Sequence, residues 1–336
     1  MQYRIVKGIS GVAPNCKIIP IRAYLGTNYP TSYLADAVDL AVLNGADIIN
    51  HSWSGGGNVT AVTAAIYNAT TNGRGGKGCV FVNSAGNGDA LGIGTAVAFP
   101  AYLPTVIAVG AIDRDGARAG FSNYGNDLNL VAPGVDIWTT SISGTNYGIE
   151  SGTSFAAPHV AGVAALVLSA YPQLHQVQVR QAIESTCQKI NSSIYTYSTT
   201  SGHPNGTWDT QVGHGLIDAY AAINIISTLS ARTVNLGFHY NSGPSGATVS
   251  CSGEGTSGYT FTSSGSQNYS APSYSALTIS QNVSVGSGYC IYLDEDPRGD
   301  CVVTGEGTNN MTVTYYLPIS SVTVNSLILK FIVQTS

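Results

Sequence analysis

Apolar and polar positions along this chain follow two different rhythms. Up to about residue 228, short apolar runs alternate with longer stretches in which apolar positions recur every three to four residues. The runs Ile48-Ile49, Cys79-Val80-Phe81-Val82, Val106-Ile107-Ala108-Val109 and Leu130-Val131-Ala132 lack polar alternation, as strands buried on both faces of a parallel sheet do. Helical spacing predicts helices near Ser32–Leu43, Val59–Thr70, Ser154–Ala170, Gln176–Thr186 and Ile217–Ser227. Strands interleaved with helices predict an α/β fold around a parallel sheet, with functional loops at the strands' carboxyl ends. After about Leu229 the chain turns to Ser, Thr, Gly, Tyr and Val with every second position apolar, as in Ala276-Leu277-Thr278-Ile279 and Met311-Thr312-Val313-Thr314-Tyr315-Tyr316. That pattern predicts a small all-β domain, so the expected division is 1–228 and 229–336.

Composition narrows the class. With 336 residues, 43% hydrophobic and only 9% charged, the chain can bury a large core and is not of disordered type. A net charge of −5 and 13 scattered Lys and Arg provide no basic footprint for nucleic acid. No run of eighteen apolar residues predicts a membrane span, and Met1-Gln2-Tyr3-Arg4-Ile5-Val6-Lys7 has no hydrophobic signal core. Cys16 and Cys79 are expected at strand starts and Cys187 in a helix, as ordinary thiols. Cys290 and Cys301 bracket a hairpin-like loop that a disulfide would close, with Cys251 as an odd third partner. Asp294, Glu295, Asp296 and Asp300 offer oxygen ligands for structural Ca²⁺, but without EF-hand spacing, and a solvated acidic turn is the favoured reading. No cofactor or metal is expected in catalysis.

The chemistry is concentrated in Ser151-Gly152-Thr153-Ser154-Phe155-Ala156-Ala157-Pro158-His159-Val160-Ala161-Gly162, which places Ser154 where a loop of small residues becomes a helix. Unpaired N–H groups and the positive end of the helix dipole then face the hydroxyl, which is half of an oxyanion site. The common structural role of such a serine is merely to cap the helix. The Gly-x-Ser-x-Gly elbow of α/β-hydrolases is disfavoured, because Ala156 stands where its second glycine belongs. Upstream, the Cys79–Val82 run empties into Asn83-Ser84-Ala85-Gly86-Asn87-Gly88, and Ile48-Ile49 into Asn50-His51-Ser52-Trp53-Ser54-Gly55. His51, His159 and His214 are expected to be structural, with His159 facing the core and turned away from Ser154 by the helical rotation.

These segments resemble the subtilisin-like serine proteases, the subtilases. The run around Ser154 is similar to their nucleophile motif, Ala-Gly-Asn at 85–87 to the segment donating an oxyanion-hole amide, and Ile-Asn-x-Ser at 49–52 to the strand that pairs with substrate backbone. The matches to Val106–Ala111, Phe121-Ser122-Asn123-Tyr124-Gly125, Leu130–Gly134 and Gly213–Ala219 extend the resemblance over most of the first 228 residues. It implies a doubly wound parallel sheet, a secreted or cell-surface serine endopeptidase acting on proteins or peptides, Ser154 as nucleophile and Asn87 in the oxyanion hole. It also implies substrate contacts at Ser52, Trp53, Ser54, Gly55, Ala85, Gly86 and Ala98, small Ala98 leaving room for a large apolar side chain. The family's Asp-[Ser/Thr]-Gly and His-Gly-Thr motifs are absent. The chain thus reads as the last two thirds of the peptidase domain, its missing segment carrying the base, its carboxylate and a central strand. By itself it is expected to be nearly inert and, with an unpaired inner sheet edge, poorly soluble. The alternative is a non-catalytic relative that binds peptides or surfaces.

Overall fold

The computed structural model describes residues 8–23, 32–54, 59–88, 96–142 and 146–227, and beyond them the backbone of the strands between 232 and 335. The chain forms two compact units, Met1–Asn224 and Ile225–Ser336.

The first unit is built on a four-stranded sheet, β1 (Ile48–His51), β2 (Val80–Ser84), β3 (Val106–Ile112) and β4 (Leu130–Pro133), in sequence order. All three pairings are parallel, with Ile48 opposite Val80, Phe81 opposite Val106 and Val109 opposite Leu130. Every residue of β2 and β3 is buried, which explains their unbroken apolar runs. β1 is an edge of this sheet among the described residues, and its Asn50 is exposed.

Helices α1 (Ser32–Leu43) and α2 (Thr60–Gly76) cover one face. They bury Leu34, Ala35, Val38, Val62, Ala65, Ile66 and Ala69 against Phe81 and Val106, which share a face by register. α3 (Thr153–Ala170) runs across all four strands and takes no part in that cluster, so the sheet is covered on both sides. Its Ala156, Ala157, Val160, Ala164 and Val167 are fully buried. By length and hydropathy α3 is apolar enough to cross a membrane, contrary to the bare run count, but it serves as the core helix of this unit. The helix predicted to end at Thr70 continues to Gly73, where helical dihedrals stop and Arg74 turns to positive φ. Gly73 is required there: a Cβ would lie 2.4 Å from the Cys79 sulfur. Helices α4 (Gln176–Ser185) and α5 (Ala219–Ser227) lie within two residues of their predicted starts and one of their predicted ends.

The cysteines depart in part from expectation. Cys16 is exposed in a turn, its N–H bonded to the Ala13 carbonyl, because residues 15–23 join no sheet. Cys187 lies past the end of α4, and Cys79 is buried immediately before β2; all three are free thiols. His159 does not face the core. It is half-buried, and its Nδ1 lies 2.8 Å from the Phe155 carbonyl one turn back.

The first unit also holds an antiparallel pair, β5 (Ile137–Thr140) and β6 (Tyr147–Glu150). The second unit contains two sheets, β7 (Arg232–Asn241), β10 (Gly265–Ala271), β12 (Tyr289–Glu295) and β15 (Leu327–Thr335) in one, and β8 (Thr248–Gly253), β9 (Tyr259–Phe261), β11 (Thr278–Ser284), β13 (Cys301–Thr304) and β14 (Asn310–Tyr316) in the other. All their pairings are antiparallel except that of β7 with β15. Cys290 and Cys301 stand on strands of different sheets and not on the arms of one hairpin, because β12 pairs with β15 and β13 with β14. Asp296 and Asp300 of the acidic run lie outside the described residues.

A buried polar knot ties α4 to β3 and the turn before α5. Glu184 receives Arg180 Nε at 2.7 Å, Asn129 Nδ2 at 2.9 Å and Asn205 Nδ2 at 2.7 Å, while Asn129 Oδ1 accepts the Ala108 N–H. Burial works to raise the Glu184 carboxyl, but the Arg180 guanidinium and the Asn205 bond hold it below its ordinary value. His214 is fully enclosed, and burial pushes its imidazole down to about 4 against the pull of Glu184. It is therefore neutral in the fold, and its Nε2, 3.6 Å from Glu184, makes no hydrogen bond. Between its ordinary value of 6.5 and about 4 the unfolded chain binds the extra proton, so acid costs stability across that window and His214 contributes no further loss below it. We expect the melting temperature of the first unit to fall from pH 7 to pH 4, and a His214→Gln variant to show a shallower fall; equal slopes in calorimetry would refute this.

Candidate active site

Three loops converge at the amino end of α3. The first follows β2, whose buried Asn83 donates Nδ2 to the carbonyls of Trp53 at 3.1 Å and Ser84 at 2.8 Å. Its Oδ1 lies 2.5 Å from His51 Nδ1 and must accept, which puts the proton of the imidazole on Nδ1. Burial, the main cause, holds His51 below the ordinary histidine value, so this neutral ring supports the end of β1 and the extension that follows it to Trp53. His51 packs edge-on against Trp53, whose side chain lies against the α1–α2 cluster. His51 is structural here, as expected from the sequence, whereas Asn83 is a brace that the sequence pattern does not indicate.

Beyond Asn83 the chain turns through Ala85 and Gly86 to Asn87. Gly86 has φ of 108°, and a Cβ on it would lie 2.6 Å from Asn123 Nδ2 and 3.3 Å from the Ala98 methyl. Ala98 is linked to the same turn by its N–H to the Ala85 carbonyl at 2.9 Å. Asn87 Oδ1 accepts both the Thr153 N–H at 3.0 Å and the Thr153 hydroxyl at 2.8 Å. Since an N–H can only donate, the oxygen of this amide is fixed and Nδ2 faces outward beside Gly152, 3.4 Å from where a Cβ would stand. No described residue claims Nδ2.

Ser154 occupies the second position of α3, where an N–H has no carbonyl four residues back within the helix, and none of the described residues accepts it. Ser154 and Ser52 exchange bonds. Ser154 Oγ donates to the Ser52 carbonyl at 3.1 Å, and Ser52 Oγ donates to the Ser154 carbonyl at 3.0 Å. The second bond has a cause in the sequence: Pro158 has no N–H, so the Ser154 carbonyl loses its partner four residues on and takes the Ser52 hydroxyl instead. The site therefore presents one hydroxyl and two unclaimed donors, Asn87 Nδ2 and the Ser154 N–H, at one helix terminus.

The Subtilase family profile matches residues 2–215. The chain belongs to the subtilase family. It is 40% identical over 189 residues to subtilisin DY of Bacillus licheniformis, covering 56% of this chain and 67% of that one. To a thermophilic serine proteinase of Bacillus sp. (strain AK1) it is 43% identical over 188 residues, which is 55% of this chain and 44% of the relative. It spans about half, 48%, of subtilisin E of Bacillus subtilis (strain 168), to which it is 38% identical. Among solved structures it resembles the proteases from Pseudoalteromonas arctica PAMC 21717, with TM-score 0.54, 31% identity and 65% of each chain covered. It also resembles the prenylagaramide maturation protease PagA, with TM-score 0.52, 29% identity and coverage of 66% of this chain and 77% of that one.

Of the residues singled out from the sequence, Ser154, Asn87, Ser52, Ala85, Gly86 and Ala98 meet around this helix terminus in this subtilase. Trp53 and Ser54 are half-buried on the same strand extension, and Gly55 lies outside the described residues. Thr153 and Asn123, which hold Asn87 and its turn, had been read only as parts of motifs. Their signal was available: polar side chains inside otherwise small or apolar segments need partners. Among the described residues no cluster of His, Cys, Asp or Glu is placed to hold a metal ion. We expect Gly86→Ala to destabilise the first unit by about 1–3 kcal/mol through its positive φ and the clash with Asn123, as a loss of melting temperature. A variant as stable as the parent would show that this turn tolerates a side chain.

Proposed function

We propose that this subtilase is a secreted serine endopeptidase that hydrolyses peptide bonds through an acyl-enzyme on Ser154. The observation that carries this reading is the pinning of Asn87 by Thr153. It leaves an amide N–H pair and the Ser154 N–H free beside the hydroxyl, as stabilisation of a tetrahedral oxyanion requires. Peptide substrate pairs through main-chain groups with the strand extension Ser52–Ser54, and Ala85, Gly86 and Ala98 wall the pocket for the residue before the cleaved bond.

The general base is not among the described residues around Ser154. The hydroxyl gives its proton to the Ser52 carbonyl, which cannot take it away, and His51 is occupied with Asn83. The imidazole and its orienting carboxylate come from a segment outside this chain. Without them the chain retains oxyanion and binding contributions only; in subtilisin itself loss of the histidine costs about 10⁶ in turnover.

Two measurements test the reading. Fluorophosphonate should modify Ser154 of this chain only slowly, and rapid stoichiometric labelling would overturn the assignment of the base to another segment. Supplied in one protein with an Asp- and His-bearing segment, the chain should cleave peptides. Ser154→Ala should then abolish cleavage and Asn87→Ala should lower turnover about 10²–10³-fold, the loss seen when subtilisin is deprived of its oxyanion asparagine. Full folding and peptide binding without any cleavage would favour the non-catalytic alternative.

A further inference from the structure

Asn87 is followed by Gly88, and an Asn-Gly pair is chemically vulnerable. The glycine nitrogen attacks the side-chain carbonyl carbon, a bond forms between Gly88 N and Asn87 Cγ, and the bond from Cγ to Nδ2 breaks with release of ammonia. Water then opens the five-membered imide to aspartate or isoaspartate. Glycine offers no side chain to hinder the approach, so such pairs react fastest of all. Here the product would replace the free amide donor with a carboxylate, which can only accept.

In the fold the nitrogen that would attack is bonded to one buried side chain, that of Asn123. Asn123, 4% exposed, accepts the Gly88 N–H on Oδ1 at 2.8 Å and donates its own N–H to the Gly86 carbonyl at 2.9 Å. Its Nδ2 donates to the Ala96 carbonyl at 2.7 Å, fixing Asn123 to the chain on the far side of the loop. The attacking nitrogen is thus engaged by Asn123, and the protection lies in that bond; both donors of Thr153 polarise the target carbonyl but fix the orientation of its amide. Gly86 leaves the space that Asn123 Nδ2 fills.

We propose that Asn123 is the positioning residue of the Gly86–Gly88 turn, and that it guards Asn87–Gly88, a latent deamidation site, against closing to the imide. The consequence for catalysis rests on the reading of Asn87 as an oxyanion donor; the guarding itself does not. Its test therefore needs no enzymatic activity.

The chain carries its own clocks in three further Asn-Gly pairs, Asn44–Gly45, Asn72–Gly73 and Asn205–Gly206. Asn44 is exposed, with the Gly45 N–H on the Val42 carbonyl at 3.0 Å and its own Nδ2 on the Leu40 carbonyl at 2.7 Å, so it is the reference for a pair bonded to main chain in solvent, whereas Asn205 is 7% exposed and bonded to Glu184. The full chain is incubated at neutral pH, and each site is followed by peptide mapping with mass spectrometry and isoaspartate detection. In the parent protein Asn87 should convert at least tenfold more slowly than Asn44; equal rates overturn the proposal without any variant being made. Asn123→Ala should speed conversion of Asn87 at least tenfold while Asn205 is unchanged. Equal acceleration at both sites would mean general loosening and would also overturn it. Asn123→Asp keeps an acceptor for Gly88 N–H and should restore most of the protection; an Asp variant as fast as the Ala variant refutes the role of that bond. Should Asn87→Ala leave peptide cleavage intact, the proposed oxyanion role fails while the deamidation result stands by itself.

Discussion

The site depends on a single docking constraint, the paired bonds from the Thr153 N–H and hydroxyl to Asn87 Oδ1. An amide has one acceptor end and one donor end, so satisfying the acceptor at the first turn of α3 forces the donor outward. The same bonds satisfy one of the first-turn N–H groups of α3 and join the loop after β2 to a helix that begins 66 residues later in the chain. Turned over, the amide would set its own N–H groups against the Thr153 N–H and hydroxyl, and both bonds would be lost. The rest of the arrangement keeps it from turning: Gly86 allows the close approach, Asn123 grips the far side of the turn, and the buried face of α3 fixes where its first turn can lie.

A second constraint concerns Ser154. Pro158 deprives the Ser154 carbonyl of its helical partner, and Ser52 fills that vacancy while receiving the serine hydroxyl on its own carbonyl. This cross-brace ties the strand extension after β1 to the helix, so two of the three loops are registered against each other by main-chain carbonyls. Main-chain partners place the hydroxyl; a serine hydroxyl is a poor nucleophile without a base, and none of the described residues bonded to Ser154 is one.

Much of the fold was legible because its strands and helices are extreme cases of their patterns. β2 and β3 are buried throughout, and the apolar positions of α1 at Leu34, Ala35, Val38 and Ala41 follow the helical period. The misreadings concern residues whose state depends on neighbours. His159 faces a carbonyl of its own helix and not the core, Cys16 joins no strand, and Cys290 and Cys301 belong to different sheets. Periodicity describes which face of an element is apolar; it does not say which element will be opposite.

What the sequence by itself determined is the family and the positions of its candidate groups at chain turns: Ser154 at a helix start, Asn87 and Ser52 beyond strand ends, and a glycine at 86 where two loops come close. These follow from local rules, since a turn, a cap or a buried strand requires particular residues within a few positions. Only the tertiary structure decided which end of the Asn87 amide is free, why Ser52 faces Ser154, and that Asn83, Asn123 and Thr153 hold these loops in place. Hydrogen bonds act over about 3 Å between groups that can be a hundred residues apart, and a linear pattern contains no record of which donor will meet which acceptor.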